Sequence, residues 1–314
     1  MPVRSLRRID ASHSSAVSEA FGKRKPFVIT GGFYGESVDK WPMSGYLETK
    51  HSDKLVCAHV TAEPRMDFIK KNFQYKTMRF DTLIKRCRDG LTQGDEYFIN
   101  KNENYYLRSL AEDQRKGVAL IETDFPDLWQ DFCLPDYLPC SSNDIFSSVL
   151  RIASPDIHIW VHFDIMDNVL VQVVNSKRVD LYPPSDVPYL YLKGDKSQIT
   201  NIDEPDFDRF PLFAKATRHQ CVLDPGDAVF IPAMWFHTTH AERFSVGVNI
   251  FWRNLPATIY DSTDVYGNKD LIPAQRIWQS FRSTIAPSLN KMPEEYRDFY
   301  ARRLIEELKT FCVE

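Results

Sequence analysis

Between residues 146 and 253 apolar and polar positions alternate with period two, in short runs separated by Gly, Pro, Asn and Asp. A strand sends successive side chains to opposite faces, so each run predicts a half-buried strand. The runs are SSVLRIA (147–153), DIHIWVH (156–162), NVLVQVV (168–174), KRVDLYP (177–183), HQCVLD (219–224), DAVFIP (227–232), WFHTTH (235–240) and FSVGVNIFW (244–252). This many short strands in succession predict a closed or sandwich-like β architecture rather than βαβ units.

The flanks read differently. Residues 1–145 mix short apolar runs with helical stretches such as Phe80–Arg88. Beyond residue 257 the apolar period lengthens to that of a helix: Ile277, Trp278, Phe281 and Ile285 fall on one stripe. Tyr296, Phe299, Tyr300, Leu304, Leu308 and Phe311 form another, in a helix opened by Pro293-Glu294-Glu295. Such stripes serve equally to brace a β core or to meet a second copy of the chain. The expected organisation is a mixed α/β region at 1–100, a β domain at 101–256 and a helical region at 257–314.

Composition narrows the class. At 43% hydrophobic, the 314-residue chain has enough apolar material for a large core, which excludes whole-chain disorder. Lysine and arginine total 39 against 43 acids, so net charge points to neither nucleic acid nor anionic membrane, and such binding would need a local patch. No apolar run approaches the roughly 18–20 residues that span a bilayer, and MPVRSLRRIDASHSS has no apolar stretch of a secretory signal. Six scattered cysteines without C-x-x-C read as reduced thiols. The expectation is an intracellular protein, cytoplasmic or nuclear, without membrane association.

The candidate chemistry begins at His162-Phe163-Asp164. On an extended strand positions i and i+2 share a face, so both side chains reach one metal ion. Downstream, PGDAVFIPAMWFH (225–237) brings a second imidazole, His237, after a turn and an apolar strand. Two imidazoles and a carboxylate make a facial set suited to non-haem Fe(II). Strand parity puts His158 and Trp160 on the face of His162, and Lys177 in phase with Val179 and Leu181. A lysine in phase with aliphatics suits an ammonium that points inward to meet an anion. Ser245, Gly247, Asn249 and Phe251 share another face, whose small and polar members predict room for a ligand.

H-x-D, an Asn six residues after its His, a Lys fifteen after it, and the distal His behind P-G-D-x-x-F-I-P-x-x-W resemble the JmjC-type hydroxylases. These are Fe(II)- and 2-oxoglutarate-dependent, O2-consuming enzymes. The resemblance implies a mainly β fold with flanking helices, on a double-stranded β-helix (jelly-roll) core. It implies His162, Asp164 and His237 as catalytic iron ligands, and Lys177 as partner of the distal carboxylate of 2-oxoglutarate. Asn168 and Asn249 follow as its polar neighbours. Ile159 stands where some relatives carry a co-substrate-binding Thr, and Tyr106 of NYYLRSL takes over the hydroxyl role.

Stretches outside the iron site, among them MDFIKKNFQYKT, YLYLKGDKS, DVYGNKD and PEEYRDFYARR, resemble the tRNA-directed branch of this family. That branch hydroxylates the wybutosine-type guanosine beside the anticodon of tRNA(Phe). The resemblance therefore implies tRNA(Phe) as substrate and a homodimer formed by the C-terminal helices. Residues 65–90 agree: eight basic against three acidic residues, with Phe68, Phe73, Tyr75 and Phe80 interleaved. Cations that track phosphates and aromatics that stack on bases suit single-stranded RNA. The candidates are Lys70, Lys71, Lys76, Arg79, Lys85, Arg86 and Arg88. A solvated face with inward aromatics is the plainer reading of the same segment. Three other classes share parts of the pattern. A protein asparaginyl or lysyl hydroxylase shares the whole metal site. A β scaffold would keep only its vestige, and a zinc hydrolase would not need Lys177.

Overall fold

The computed structural model describes residues 3–92, 94–114, 116–141 and 144–312. Contacts divide the chain into two compact units, Met1–Asn254 with Val265–Asn268, and Leu255–Asp264 with Lys269–Glu314. The first unit is mainly β with flanking helices. Its strands in chain order begin with β1 (Val3–Ser5), β2 (Arg8–Asp10), β3 (Phe27–Thr30), β4 (Leu55–Thr61), β5 (Phe73–Arg79) and β6 (Asn104–Arg108). The central run is β7 (Ile145–Ala153), β8 (Ile157–His158), β9 (Asp167–Val174), β10 (Lys177–Tyr182), β11 (Leu192–Lys193) and β12 (Lys196–Ser197). The last four are β13 (Arg218–Leu223), β14 (Ala228–Ile231), β15 (Phe236–Ala241) and β16 (Ser245–Trp252).

Two sheets dominate. One has the order β1-β13-β10-β15-β8; the other has the order β2-β3-β14-β9-β16-β7-β6-β4-β5. Their inner faces meet through Val179, Leu181 and Leu223 of the first sheet and Leu170, Val229 and Ile231 of the second, a jelly-roll core. β9 and β16 are buried along their whole length, as central strands covered on both faces must be. The alternating runs beyond residue 146 thus form the strands that the pattern predicts. Residues 8–108 add five more strands to the larger sheet, and the helix over Phe80–Asp89 packs Phe80, Leu83, Ile84 and Cys87 beneath it.

Two local expectations need correction. DIHIWVH is a strand only at Ile157–His158; beyond it the Ile159 N–H donates to the Thr239 carbonyl at 3.0 Å, and the segment meets β15 once more at a bridge through His162. The alternation therefore breaks: Ile159 and Trp160 both line the central cavity, whereas His158 stacks on His240 with ring centroids 3.7 Å apart. Gly247 does not leave room for a ligand. A Cβ there would lie 2.9 Å from the Val171 carbonyl, so glycine allows β9 and β16 to close at the register shift beside Val246.

In the second unit the first helix runs from Ile272 to Ser280, loosens into a π turn over Phe281–Ile285 and resumes over Ala286–Asn290. Pro287 accounts for the π turn, because it lacks an N–H and crowds the carbonyl four residues back. A further helix spans Glu294–Lys309. Ile277, Trp278, Tyr296, Phe299, Leu308 and Phe311 are exposed. Among the described residues no helix is long and apolar enough to cross a membrane.

Candidate metal centre and cavity

His162 and His237 are held together by backbone pairing. The His162 N–H donates to the His237 carbonyl at 3.1 Å, and the His237 N–H donates to the His162 carbonyl at 2.7 Å. The rings lie 4.4 Å apart, centroid to centroid. Each Nδ1 faces the carbonyl two residues earlier, Trp160 O at 3.0 Å for His162 and Trp235 O at 3.1 Å for His237. A carbonyl only accepts, so Nδ1 carries the proton and Nε2 keeps a free lone pair. Burial, reinforced by His237, pushes His162 down to about 4, which keeps that imidazole neutral. Asp164 Oδ2 lies 3.5 Å from His237 Nε2, and the donor atoms of the three residues lie within 4.8 Å of one another. Two imidazoles and a carboxylate converging on one point fit a divalent transition metal with open positions, Fe(II) among them.

The loop behind the ligands is fixed by Pro232-Ala233-Met234-Trp235. Met234 takes a left-handed conformation (φ 70°) and donates its N–H to the Asp164 carbonyl at 2.8 Å. Ala233 N–H donates to the buried Asp167 carboxylate at 2.8 Å, and Arg24 pairs with the same carboxylate. The residues that break the strand at Pro232 therefore anchor the backbone that carries Asp164.

A cavity of about 550 Å³ opens over the three donors, lined from both sheets. Lys177 lines it, is 5% exposed, and has no hydrogen bond or salt bridge among the described residues. Burial, with Arg151 adding to it, pushes its ammonium down to about 7. An unpartnered buried lysine is costly, and a ligand carboxylate would relieve it. Tyr106 also lines the cavity, its hydroxyl accepting from Arg151 at 2.9 Å. Arg151 Nε donates to Asn249 Oδ1 at 3.2 Å, and Asn249 Nδ2 donates to Asn168 Oδ1 at 3.0 Å. The structure thus brings Lys177, Tyr106 and Asn249 into the cavity of His162, Asp164 and His237. Asn168 stands behind Asn249, fully buried, with its own Nδ2 unpartnered.

Arg151 and Arg108 are the cavity residues that sequence reasoning missed. The signal was there: each is an arginine in phase with apolar or aromatic neighbours inside a strand, Arg151 in SSVLRIA and Arg108 in NYYLR. Phe68 and Trp160, ring centroids 4.9 Å apart, also line the cavity, as do Tyr75, His59 and Tyr266.

The basic segment divides. Lys70, Lys71 and Lys85 are exposed, and Lys76 is partly so, lying 5.6 Å over Phe98. Arg79 is exposed but pairs with Asp53 and Asp81. Arg86 is tied to Glu103 and the Tyr105 hydroxyl, and Arg88 to Glu48 at 2.7 Å. Of the interleaved aromatics, Phe68 and Tyr75 line the cavity, whereas Phe73 and Phe80 are buried.

Fold and site together define a β-sandwich protein with a two-histidine, one-carboxylate centre. The chain belongs to the family of the Cupin-like domain, which it matches over residues 13–258. It is similar to the tRNA wybutosine-synthesizing protein 5 of Homo sapiens, 46% identical over 305 residues that cover 97% of this chain and 94% of the relative. The protein of that name from Gallus gallus is 47% identical over 287 residues, covering 91% and 88%. The tRNA wybutosine-synthesizing protein 4 of Neurospora crassa is 34% identical over 316 residues, covering 98% of this chain but 25% of the relative.

Proposed function

We propose that this chain is an Fe(II)- and 2-oxoglutarate-dependent oxygenase of wybutosine synthesis, hydroxylating the side chain of the modified guanosine beside the anticodon of tRNA(Phe). The observation that carries the chemistry is Lys177, a buried ammonium without a partner in the cavity of His162, Asp164 and His237. Full-length similarity to proteins named for wybutosine synthesis carries the substrate. Iron with 2-oxoglutarate and O2 supplies oxidative decarboxylation to succinate and CO2, with one oxygen atom inserted into a substrate C–H bond.

The chain's own groups do the positioning. His162, Asp164 and His237 would hold the metal. Lys177 neutralises the distal carboxylate of the co-substrate, and the Tyr106 hydroxyl and Asn249 amide give it hydrogen bonds. Arg151 fixes both of those groups, donating to each. Phe68 and Trp160 offer faces against which an unpaired base stacks. Lys70, Lys71, Lys76 and Lys85 supply cations to the RNA backbone. The C-terminal helices pair with a second copy, since Ile277, Trp278, Tyr296, Phe299, Leu308 and Phe311 are otherwise left in water. With tRNA as its substrate the protein works inside the cell. The reading is tested by incubating tRNA(Phe) with enzyme, Fe(II), 2-oxoglutarate and O2, then weighing its nucleosides.

A further inference from the structure

Along β4 the side chains divide by parity. Val56, Ala58 and Val60 enter the hydrophobic core, whereas Cys57 and His59 line the cavity of His162, Asp164 and His237. The register carries this row across four strands. Tyr75 of β5 lies opposite His59, His59 opposite Tyr106 of β6, and Tyr106 opposite Ala153 of β7. All four residues line the cavity, so they make one of its walls. Neighbouring strands lie about 4.8 Å apart, which sets His59 one strand outward from Tyr106 and one strand inward from Tyr75. Tyr106 serves the co-substrate under the function proposed above, and Tyr75, 54% exposed, marks the rim. His59 therefore stands between the co-substrate's place and the opening, where a substrate sits.

Its chemistry sets His59 apart in this wall. It is buried, with the ring centroids of Tyr75, Phe73 and Tyr106 at 4.7, 4.9 and 5.6 Å. Nδ1 faces the Tyr106 carbonyl at 3.2 Å, the one side-chain hydrogen bond of His59 among the described residues. A carbonyl only accepts, so Nδ1 carries the proton and Nε2 keeps its lone pair. Burial pushes the imidazole down to about 4, so it stays neutral at physiological pH. A purely packing role would be met by phenylalanine, which fills an aromatic row without an unused buried acceptor. A wall of ring faces with one fixed acceptor suits a flat, unpaired base, which stacks while the acceptor reads a donor.

We infer that His59 is a specificity-determining residue whose Nε2 accepts a hydrogen bond from an N–H or O–H of the substrate nucleotide seated against this wall. This rests on the hydroxylase reading and adds to it the group that reads the nucleotide. The donor belongs either to the base or to the ribose 2′-hydroxyl, and the test separates the two sources.

The test uses two tRNAs(Phe) assembled by ligation, alike except for ribose or 2′-deoxyribose beneath the wybutosine-type base. It measures kcat, KM and the ratio of succinate to hydroxylated base for wild type, His59→Phe and His59→Gln. Phenylalanine keeps the ring and leaves the substrate donor unpaired, which should raise KM on the ribose tRNA roughly 5–150-fold. It should also release succinate in excess of hydroxylated base, because a misplaced nucleotide no longer meets the oxidant. Glutamine, which restores an acceptor, should recover part of both. Loss confined to the ribose tRNA assigns the donor to the 2′-hydroxyl, and equal loss on both tRNAs assigns it to the base. Wild-type KM and coupling in His59→Phe overturn the inference. A loss that glutamine does not recover, with coupling unchanged, makes the histidine structural and overturns it as well. Those outcomes leave the hydroxylase reading standing, because wild type still turns over. A wild type that oxidises neither tRNA removes that reading and this inference together.

Discussion

His162 and His237 sit opposite each other on two facing segments, exchange both backbone hydrogen bonds, and are oriented alike, each Nδ1 against the carbonyl two residues before it. The bridge sets the spacing of the two imidazoles and the Trp160 and Trp235 carbonyls set their direction, so both rings can face one metal ion. Asp164 reaches the same point because Met234 holds its backbone carbonyl.

Loss of any one of these donors leaves two, too few for a facial site. His162→Ala, Asp164→Ala and His237→Ala should each abolish succinate production and weaken iron binding at least 10–100-fold, the scale known for outer-shell losses alone. Iron titration of the purified variants, beside turnover, checks this. Turnover at the wild-type rate in any of the three, with iron occupancy confirmed, would contradict the site.

Lys177 supplies a pH dependence whose sign is fixed. Its folded value, about 7, lies below the ordinary lysine value. Between those two pH values the unfolded chain holds the extra proton, so stability of the ligand-free protein rises with pH across that window. Below pH 7 the cost is fully present. Lys177→Met should therefore stabilise the ligand-free protein near pH 7 by roughly 3–4 kcal/mol and flatten the rise above it. Urea midpoints at pH 7 and pH 9.5 measure both. The same substitution should raise the 2-oxoglutarate requirement strongly. In the wild type, co-substrate affinity should fall above pH 7, because binding needs the ammonium form.

Replacing Lys70 and Lys71 by Ala should weaken tRNA binding and flatten its salt dependence. Each lysine that meets a phosphate contributes about −0.7 to the slope of log affinity against log salt on a single strand. Arg86→Ala and Arg88→Ala should act differently, lowering stability by removing the cation from buried Glu103 and from half-buried Glu48. Filter binding across a salt series, with thermal melts alongside, separates the two behaviours.

The apolar stripe predicts assembly. Wild type should sediment as a dimer at micromolar concentration, and Phe299→Asp with Tyr296→Asp should shift it to monomer, since two charges would enter the contact. A monomer mass independent of concentration in the wild type would contradict the pairing.

Seven of the eight runs beyond residue 146, and the grouping of His162, Asp164 and His237, were legible because period and spacing encode them locally. Lys177 was legible for the same reason: it shares a strand phase with Val179 and Leu181. Arg108 and Arg151 escaped notice because a lone arginine inside a strand reads as an edge residue until its partner strand is known. The ties of Arg86 to Glu103 and Arg88 to Glu48 join distant elements, which no local pattern reveals. Past His158 the segment keeps only scattered ties to β15, the Ile159 N–H to the Thr239 carbonyl and the His162 bridge, a tertiary fact rather than a propensity.

The central claim, that this cavity oxidises the hypermodified base of tRNA(Phe), is met most directly by the nucleoside mass spectrum of that tRNA with and without enzyme. Fe(II), 2-oxoglutarate and O2 are present in both arms. The account predicts a gain of one oxygen on the wybutosine-type base, with stoichiometric succinate, absent in His162→Ala. An unchanged spectrum from an enzyme that turns over 2-oxoglutarate would contradict it.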